Sequence, residues 1–421
     1  MAILTVGPGK QFATLSAAVA KSQNGDVIQV QAGTYTNDFS TISTSITIEG
    51  VGGMVHLVAT EAPPNNKGIL VVGTATSNPT VTLDNLEISG AAISAAAGGN
   101  GAGIRYQSGN LTINDSYIHN NQDGLLSNAD TTGSITINNS EFANNGTTSG
   151  LTHNIYIGEI GHFTITGSYV TGANTGNEIQ SRALVNTITN NRIVDGPTAT
   201  ASYSINLPNG GADTVSNNII EQGPHSQNSA IISFGASGSV YAGSSLSISN
   251  NTILNDEHVG SARAIINASK NPVSFTNNSV YGLIAGQIAS GPVTVSGTTY
   301  LATEPPIGTA APYHILNPAV VSAAALSKQL AVEAANTPLT AISSSASTPT
   351  AAQSDTGRLN LADLFASASS TTMQDILGTG GVAAAQSGVV GTNEASLYSG
   401  ASWLPALHDH TALLAPPHAL S

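Results

Sequence analysis

The chain of 421 residues has no cysteine, so disulfide scaffolds and thiolate metal centres are excluded. Charge is scarce too: Asp, Glu, Lys and Arg make up 8% of it, against roughly 25% in ordinary globular domains. Lys plus Arg number 10 against 24 for Asp plus Glu, a formal charge of −14. That balance argues against a nucleic-acid partner, which needs clustered cations to neutralise phosphate. It argues equally against attraction to anionic lipid. No apolar run approaches the ~20 residues that cross a bilayer, so no membrane insertion is expected. Met1 to Val6 is too short for the core of a secretory signal, and no basic stretch precedes it. The expectation is a chain that is already mature, or one exported by a route such as type I secretion.

What is present in quantity is Gly, at 44 residues, with many Asn, Ser and Thr. These are ordered in a pattern: apolar residues two apart, then an Asn, Asp or Ser pair. Examples are Leu111-Thr112-Ile113-Asn114-Asp115-Ser116, Ile135-Thr136-Ile137-Asn138-Asn139-Ser140 and Asp213-Thr214-Val215-Ser216-Asn217-Asn218. The pattern recurs from Val81 to Val293 with a mean period of about 26 residues, the mark of a solenoid, propeller or array. Alternation with period two predicts strands. The pair that follows predicts a tight bend, because Asn tolerates a left-handed backbone. Apolar residues resume at once, as in Tyr117-Ile118 and Arg192-Ile193, and a third short strand precedes each repeat, as in Asn154-Ile155-Tyr156-Ile157. Three strands per coil of this length describe a right-handed parallel β-helix. Propeller blades need about 40 residues, and no Leu ladder of a leucine-rich repeat is present.

A solenoid needs its ends covered. Leu15, Ala18 and Val19 form a helical stripe that predicts a capping helix over residues 14–22. The solenoid is expected over 1–303, where Glu304-Pro305-Pro306 punctuates the change. The Ala/Ser/Thr-rich remainder, 304–421, reads as a C-terminal cap or tail, partly helical or disordered, with amphipathic pieces at 322–336 and 359–377.

The opening Val6-Gly7-Pro8-Gly9-Lys10-Gln11-Phe12-Ala13-Thr14-Leu15, with Gly25-Asp26-Val27-Ile28-Gln29-Val30 and Gly33-Thr34-Tyr35, resembles the start of secreted β-helix proteins of the pectate-lyase-like superfamily. That superfamily includes polysaccharide lyases, alginate epimerases, pectinesterases and polygalacturonases. The resemblance covers about residues 3–300 at the level of fold. The middle of the chain is similar to uncharacterised bacterial β-helix proteins, through His153-Asn154-Ile155-Tyr156-Ile157-Gly158, Glu178-Ile179-Gln180-Ser181-Arg182-Ala183 and the stretch from Ala201 to Gly211. Such relatives often carry His in place of Asn177 and Lys in place of Gln180, which implies two titratable groups lost here. The Asp-Pro-His-Asp, Gly-His-Gly and Arg-x-Pro-x-x-Arg signatures of the superfamily's epimerases, polygalacturonases and pectate lyases are absent.

Aligning the third strands on Ile104, Leu125, Ile155, Ile179 and Ile205 turns their neighbours outward. This gives a polar column of Arg105, Asn154, Tyr156, Glu178, Gln180, Ser204 and Asn206, with Asp123, His153, Asn177 and Tyr203 one step earlier and Arg182 just beyond. At ~4.8 Å per coil it spans roughly 20 Å, the length of several sugars of an extracellular polysaccharide. The expected chemistry is β-elimination or C5-epimerisation of a uronate. His153 or Tyr203 would be base or acid, Arg182 or Arg105 would neutralise the carboxylate, and Asp123 and Glu178 would hold calcium. Two alternatives stay open. One is an inverting glycoside hydrolase using Asp123 and Glu178, placed about 9–10 Å apart. The other is a non-catalytic surface or matrix β-helix that binds polysaccharide or serves as a rod. His119 reads as structural, and His408-Asp409-His410 as a solvated run rather than a metal motif.

Overall fold

A computed structural model describes residues 1–148 and 151–305. All belong to a compact unit, Met1–Leu339, and a second unit, Thr340–Ser421, lies outside the described residues. The expected tail over 304–421, with its amphipathic pieces and the His408-Asp409-His410 run, therefore falls outside them apart from Glu304 and Pro305.

The right-handed parallel β-helix implied by the repeat and the resemblance is the observed architecture. Each coil contributes one strand to each of three parallel sheets, here called A, B and C. In one coil these are Val185–Thr189, Arg192–Val194 and Ile205–Leu207. Sheet C is an uninterrupted ladder of ten strands, from Ser40–Ile42 to Ala289–Ser290. Sheets A and B join at the N-terminal end, where Val27–Thr36 and Thr47–Val58 run continuously from one into the other.

The period-two pattern explains the core. Ile113, Ile137, Ile165, Ile188, Val215 and Ile248 pair rung to rung in sheet A and are fully buried. Ile104, Leu125, Ile155, Ile179 and Ile205 form the matching column of sheet C, in the register expected. Each such side chain contributes about 1.5–3 kcal/mol by leaving water. Two polar residues interrupt the interior of sheet A. Asn186 and Asp213 stand in the inward column between Phe163 and Leu246 and bond to each other, Asn186 Nδ2 donating to Asp213 Oδ1 at 2.8 Å. Their other oxygens, Asn186 Oδ1 and Asp213 Oδ2, have no partner.

The bend between sheets A and B falls on the Asn pairs. Asn139, Asn190, Asn217, Asn250 and Asn277 all have left-handed φ between 46° and 60°. The next residue turns inward and links coils. Asn191, Asn218 and Asn251 each donate their backbone N–H to the amide oxygen one coil on, at 2.9 Å. Ser116 and Ser140 hold the same place in earlier coils with longer bonds, 3.2 and 3.1 Å.

A short helix, Leu15–Val19, lies within the expected 14–22 span and is capped by Thr14, whose Oγ1 accepts from the Ala17 amide at 3.2 Å. It buries Leu15 and Ala18 and packs on the first strands of the solenoid.

Candidate functional site

The outer face of sheet C carries the expected residues in part. Arg105 pairs with Leu126, Leu126 with Tyr156, Tyr156 with Gln180, and Gln180 with Asn206, so these share one outward register position. A second column, two residues before the buried Ile or Leu, holds Asp123, His153, Asn177 and Tyr203, the first three of them buried.

That second column links coil to coil through its side chains. Asp123 Oδ1 accepts the His153 amide at 2.8 Å, His153 Nδ1 accepts the Asn177 amide at 2.9 Å, and Asn177 Oδ1 accepts the Tyr203 amide at 3.0 Å. The His153 bond fixes a tautomer: with Nδ1 accepting, the neutral ring carries its proton on Nε2. Burial, with help from the Arg182 charge, pushes the His153 imidazolium pKa down to about 4. The ring therefore stays neutral at physiological pH, and its lone pair is already used. It stacks on Tyr156 with ring centroids 5.4 Å apart.

The two columns touch at Gln180, whose Oε1 accepts from Asn177 Nδ2 at 2.7 Å and Asn206 Nδ2 at 3.2 Å. Arg105 donates through Nη2 to Asn128 at 3.0 Å. Burial lowers its pKa, opposed by Asp123 and Tyr156. Asp123 is fully buried, and desolvation raises its carboxyl well above the usual range. Three buried polar atoms beneath this face, Arg105 Nε, Asp123 Oδ2 and Asn206 Oδ1, have no partner. Tyr203 is half-buried, and burial raises its phenol pKa. Arg182 donates to Asn209 Oδ1 at 2.5 Å, and Asn209 in turn donates to Glu159 at 3.0 Å.

Glu178 and Asn154 do not face outward with the column. Both are fully buried, as is Ser204 to within 3%. The strands begin at Ile155, Ile179 and Ile205, so these residues precede them and sit in the corner between sheets B and C. There the backbone turns and the alternation of a strand no longer applies. Their side chains stack inside that corner. Asn145 Nδ2 donates to Asn154 Oδ1 at 2.8 Å, Asn154 Nδ2 donates to Glu178 Oε2, and Glu178 Oε1 accepts the Ala173 amide at 2.8 Å. The expected calcium pair and the expected hydrolytic pair of Asp123 and Glu178 are therefore not assembled on one open face. Calcium takes 6–8 oxygens, and no group of three or more His, Asp or Glu suited to a metal occurs among the described residues.

A second feature went unread in the sequence. A cleft of about 800 Å³ beside sheet B is lined by Asp195, Glu221 and Asp256, with Tyr169 and the loop from Gly196 to Thr200. Glu221 Oε2 accepts the Gly196 amide at 2.9 Å. Burial, with the neighbouring Asp256, raises the Glu221 pKa to about 7 against the lowering effect of the Gly196 bond. Asp195 is also raised by burial, while it holds Ser226 Oγ at 3.0 Å. The signal was available: Asp195 and Asp256 directly follow the sheet B strands Arg192–Val194 and Thr252–Asn255, and Glu221 lies within Ile219–Gln222 of the coil between them. His119, expected to be structural, faces Glu87 at 3.0 Å, whose other oxygen lies 2.6 Å from His56.

No known protein family and no curated protein matches the chain by sequence. Among solved structures it is similar in shape to an alginate lyase from Paenibacillus sp. str. FPU-7, with 17% identity, 70% of this chain and 99% of that one covered, and a TM-score of 0.49. It is similar to pectate lyase Pel9A at 16% identity, covering 71% of this chain and 78% of that one, with a TM-score of 0.43. A third is DFA-IIIase from Arthrobacter chlorophenolicus A6, at 13% identity over 66% of this chain and 83% of that one, with a TM-score of 0.41. These likenesses give no residue a role, and the parallel β-helix rests on this chain's own sheet topology. Residue roles rest on this chain's own geometry.

Proposed function

We propose that this protein binds a linear polysaccharide along the outer face of sheet C and does no chemistry there. One observation carries the reading. Arg105, Tyr156, Gln180 and Asn206 share a register position on sheet C, with the buried Leu126 between the first two, flanked by His153, Asn177 and Tyr203. At ~4.8 Å per coil this polar strip is roughly 20 Å long, enough for several sugar rings. Tyr156 stacked on His153 offers a flat aromatic surface to a ring's C–H face, and the amides offer hydrogen bonds to hydroxyls.

Binding is favoured over elimination or epimerisation because those need a free base at the sugar C5. The His153 lone pair is committed to the Asn177 amide, and burial keeps the Tyr203 phenol protonated. The reading carries with it an extracellular or cell-surface location, where such polymers occur.

Affinity electrophoresis through gels containing polysaccharides tests it. Retardation by at least one polymer, lost in Tyr156→Ala, is the expected result. Unsaturated uronate absorbing near 235 nm, formed by the parent chain and lost in His153→Ala, would contradict it and restore the lyase reading.

The cleft supports a second reading, glycoside hydrolysis by two carboxyl groups of which one keeps its proton. Glu221, raised to about 7 beside Asp256, has the character of a general acid. Release of reducing ends from a polysaccharide, abolished in Glu221→Gln, would support it; their absence on every polymer that binds would remove it.

A further inference from the structure

We infer that the polymer taken by the sheet C face is a neutral polysaccharide and not a polyuronate. The inference rests on the binding reading above and names the substrate class of that same face.

Charge is the first argument. A polyuronate places one carboxylate on every sugar, so a strip of this length would meet several. The face offers two guanidinium groups, and both are already engaged. Arg105 donates to Asn128, and Arg182 is held by Asn209, which Glu159 holds in turn. The remaining groups are amides, phenols and an imidazole whose Nδ1 is an acceptor. Beyond the face, the chain carries a formal charge of −14, which repels a polyanion before contact.

Hydrogen-bond chemistry is the second argument. The groups of this face that reach solvent, the Tyr156 and Tyr203 hydroxyls and the Asn206 amide, include both donors and acceptors. A carboxylate only accepts, so it answers the donors and leaves the acceptors unfilled. A hydroxyl accepts and donates, so the vicinal hydroxyls of a neutral sugar answer both kinds. Tyr156 and His153 add an uncharged stacking surface.

The test is a titration of the full chain against two soluble panels, neutral glucans, mannans and xylans on one side, polygalacturonate and alginate on the other, at low and high salt. The expected result is binding to a neutral polymer at least about tenfold tighter than to either polyuronate, with little change on adding salt. Gln180→Lys, which adds a cation at the centre of the strip, is expected to raise polyuronate affinity severalfold and to make it salt-sensitive. Tighter, salt-sensitive polyuronate binding by the parent chain, lost in Tyr156→Ala, would overturn the inference and leave the binding reading standing. Binding to no polymer in either panel would overturn both.

Discussion

The outer faces of sheets A and C are built on the same coils and differ in what they repeat. On sheet A, Thr82, Thr112, Thr136, Thr164, Thr187 and Thr214 occupy one outward column rung after rung. On sheet C the corresponding column reads Val71, Arg105, Leu126, Tyr156, Gln180, Asn206. In a solenoid each coil meets only its neighbours, so repeating a residue that suits the pleat is the simplest solution. Threonine is that solution: β-branched, polar enough for water, and stackable on itself. On sheet C the column does not repeat: Val71 and Leu126 are buried, and the polar members form the proposed binding surface. Sheet A reads as scaffold and sheet C as working surface.

That contrast is open to attack in several places. The largest expected effect lies in the interior of sheet A, where Asp213 breaks the apolar column. Burial raises its folded-state pKa to about 7 from the usual 3.8, so the folded chain holds a proton that the unfolded chain releases. Stability is full below about pH 4, falls as pH rises towards 7 and then levels, by of order 4 kcal/mol in all. Urea unfolding across that range should show the fall, to which the raised Glu221 and Asp195 also contribute, and Asp213→Asn should reduce its slope by the Asp213 share. An unchanged slope in the variant would place the pH dependence elsewhere.

Next in size is the asparagine ladder of the bend between sheets A and B. Asn218 joins Ile188, Asn191 and Asn251 through bonds of 2.8 to 3.0 Å. Asn218→Ala leaves buried backbone groups unpaired and should lower stability by about 2 kcal/mol in urea unfolding. Polysaccharide binding should persist in the folded fraction. Smaller again is Tyr156→Ala on sheet C, expected to weaken binding about thirtyfold, ~2 kcal/mol, with stability little changed. Smallest is Thr164→Ala with Thr187→Ala on sheet A, where stability should stay within about 0.5 kcal/mol and binding should not move.

The same contrast explains how far the sequence could be read. The Ile155, Ile179 and Ile205 register and the left-handed Asn bends were legible because they repeat, and repetition is what a single sequence displays. The outward placement of Tyr156, Gln180 and Asn206 followed from strand alternation. Glu178 and Asn154 were misplaced because alternation was extended one residue past the strand, into a corner where the backbone turns and side chains enter the interior. Asp195, Glu221 and Asp256 went unread because their sequence separation hides that successive coils bring them to one cleft. The state of His153 was also beyond the sequence, since it depends on the Asn177 amide one coil away.

The most direct test sets the two faces against each other in one experiment. Parent chain, Tyr156→Ala and the Thr164→Ala, Thr187→Ala double variant are titrated with the polysaccharide that the parent binds, all three shown folded by circular dichroism. The account predicts that Tyr156→Ala loses binding while the double variant matches the parent. Loss of binding in the double variant with Tyr156→Ala unaffected would move the binding surface to sheet A and contradict the account.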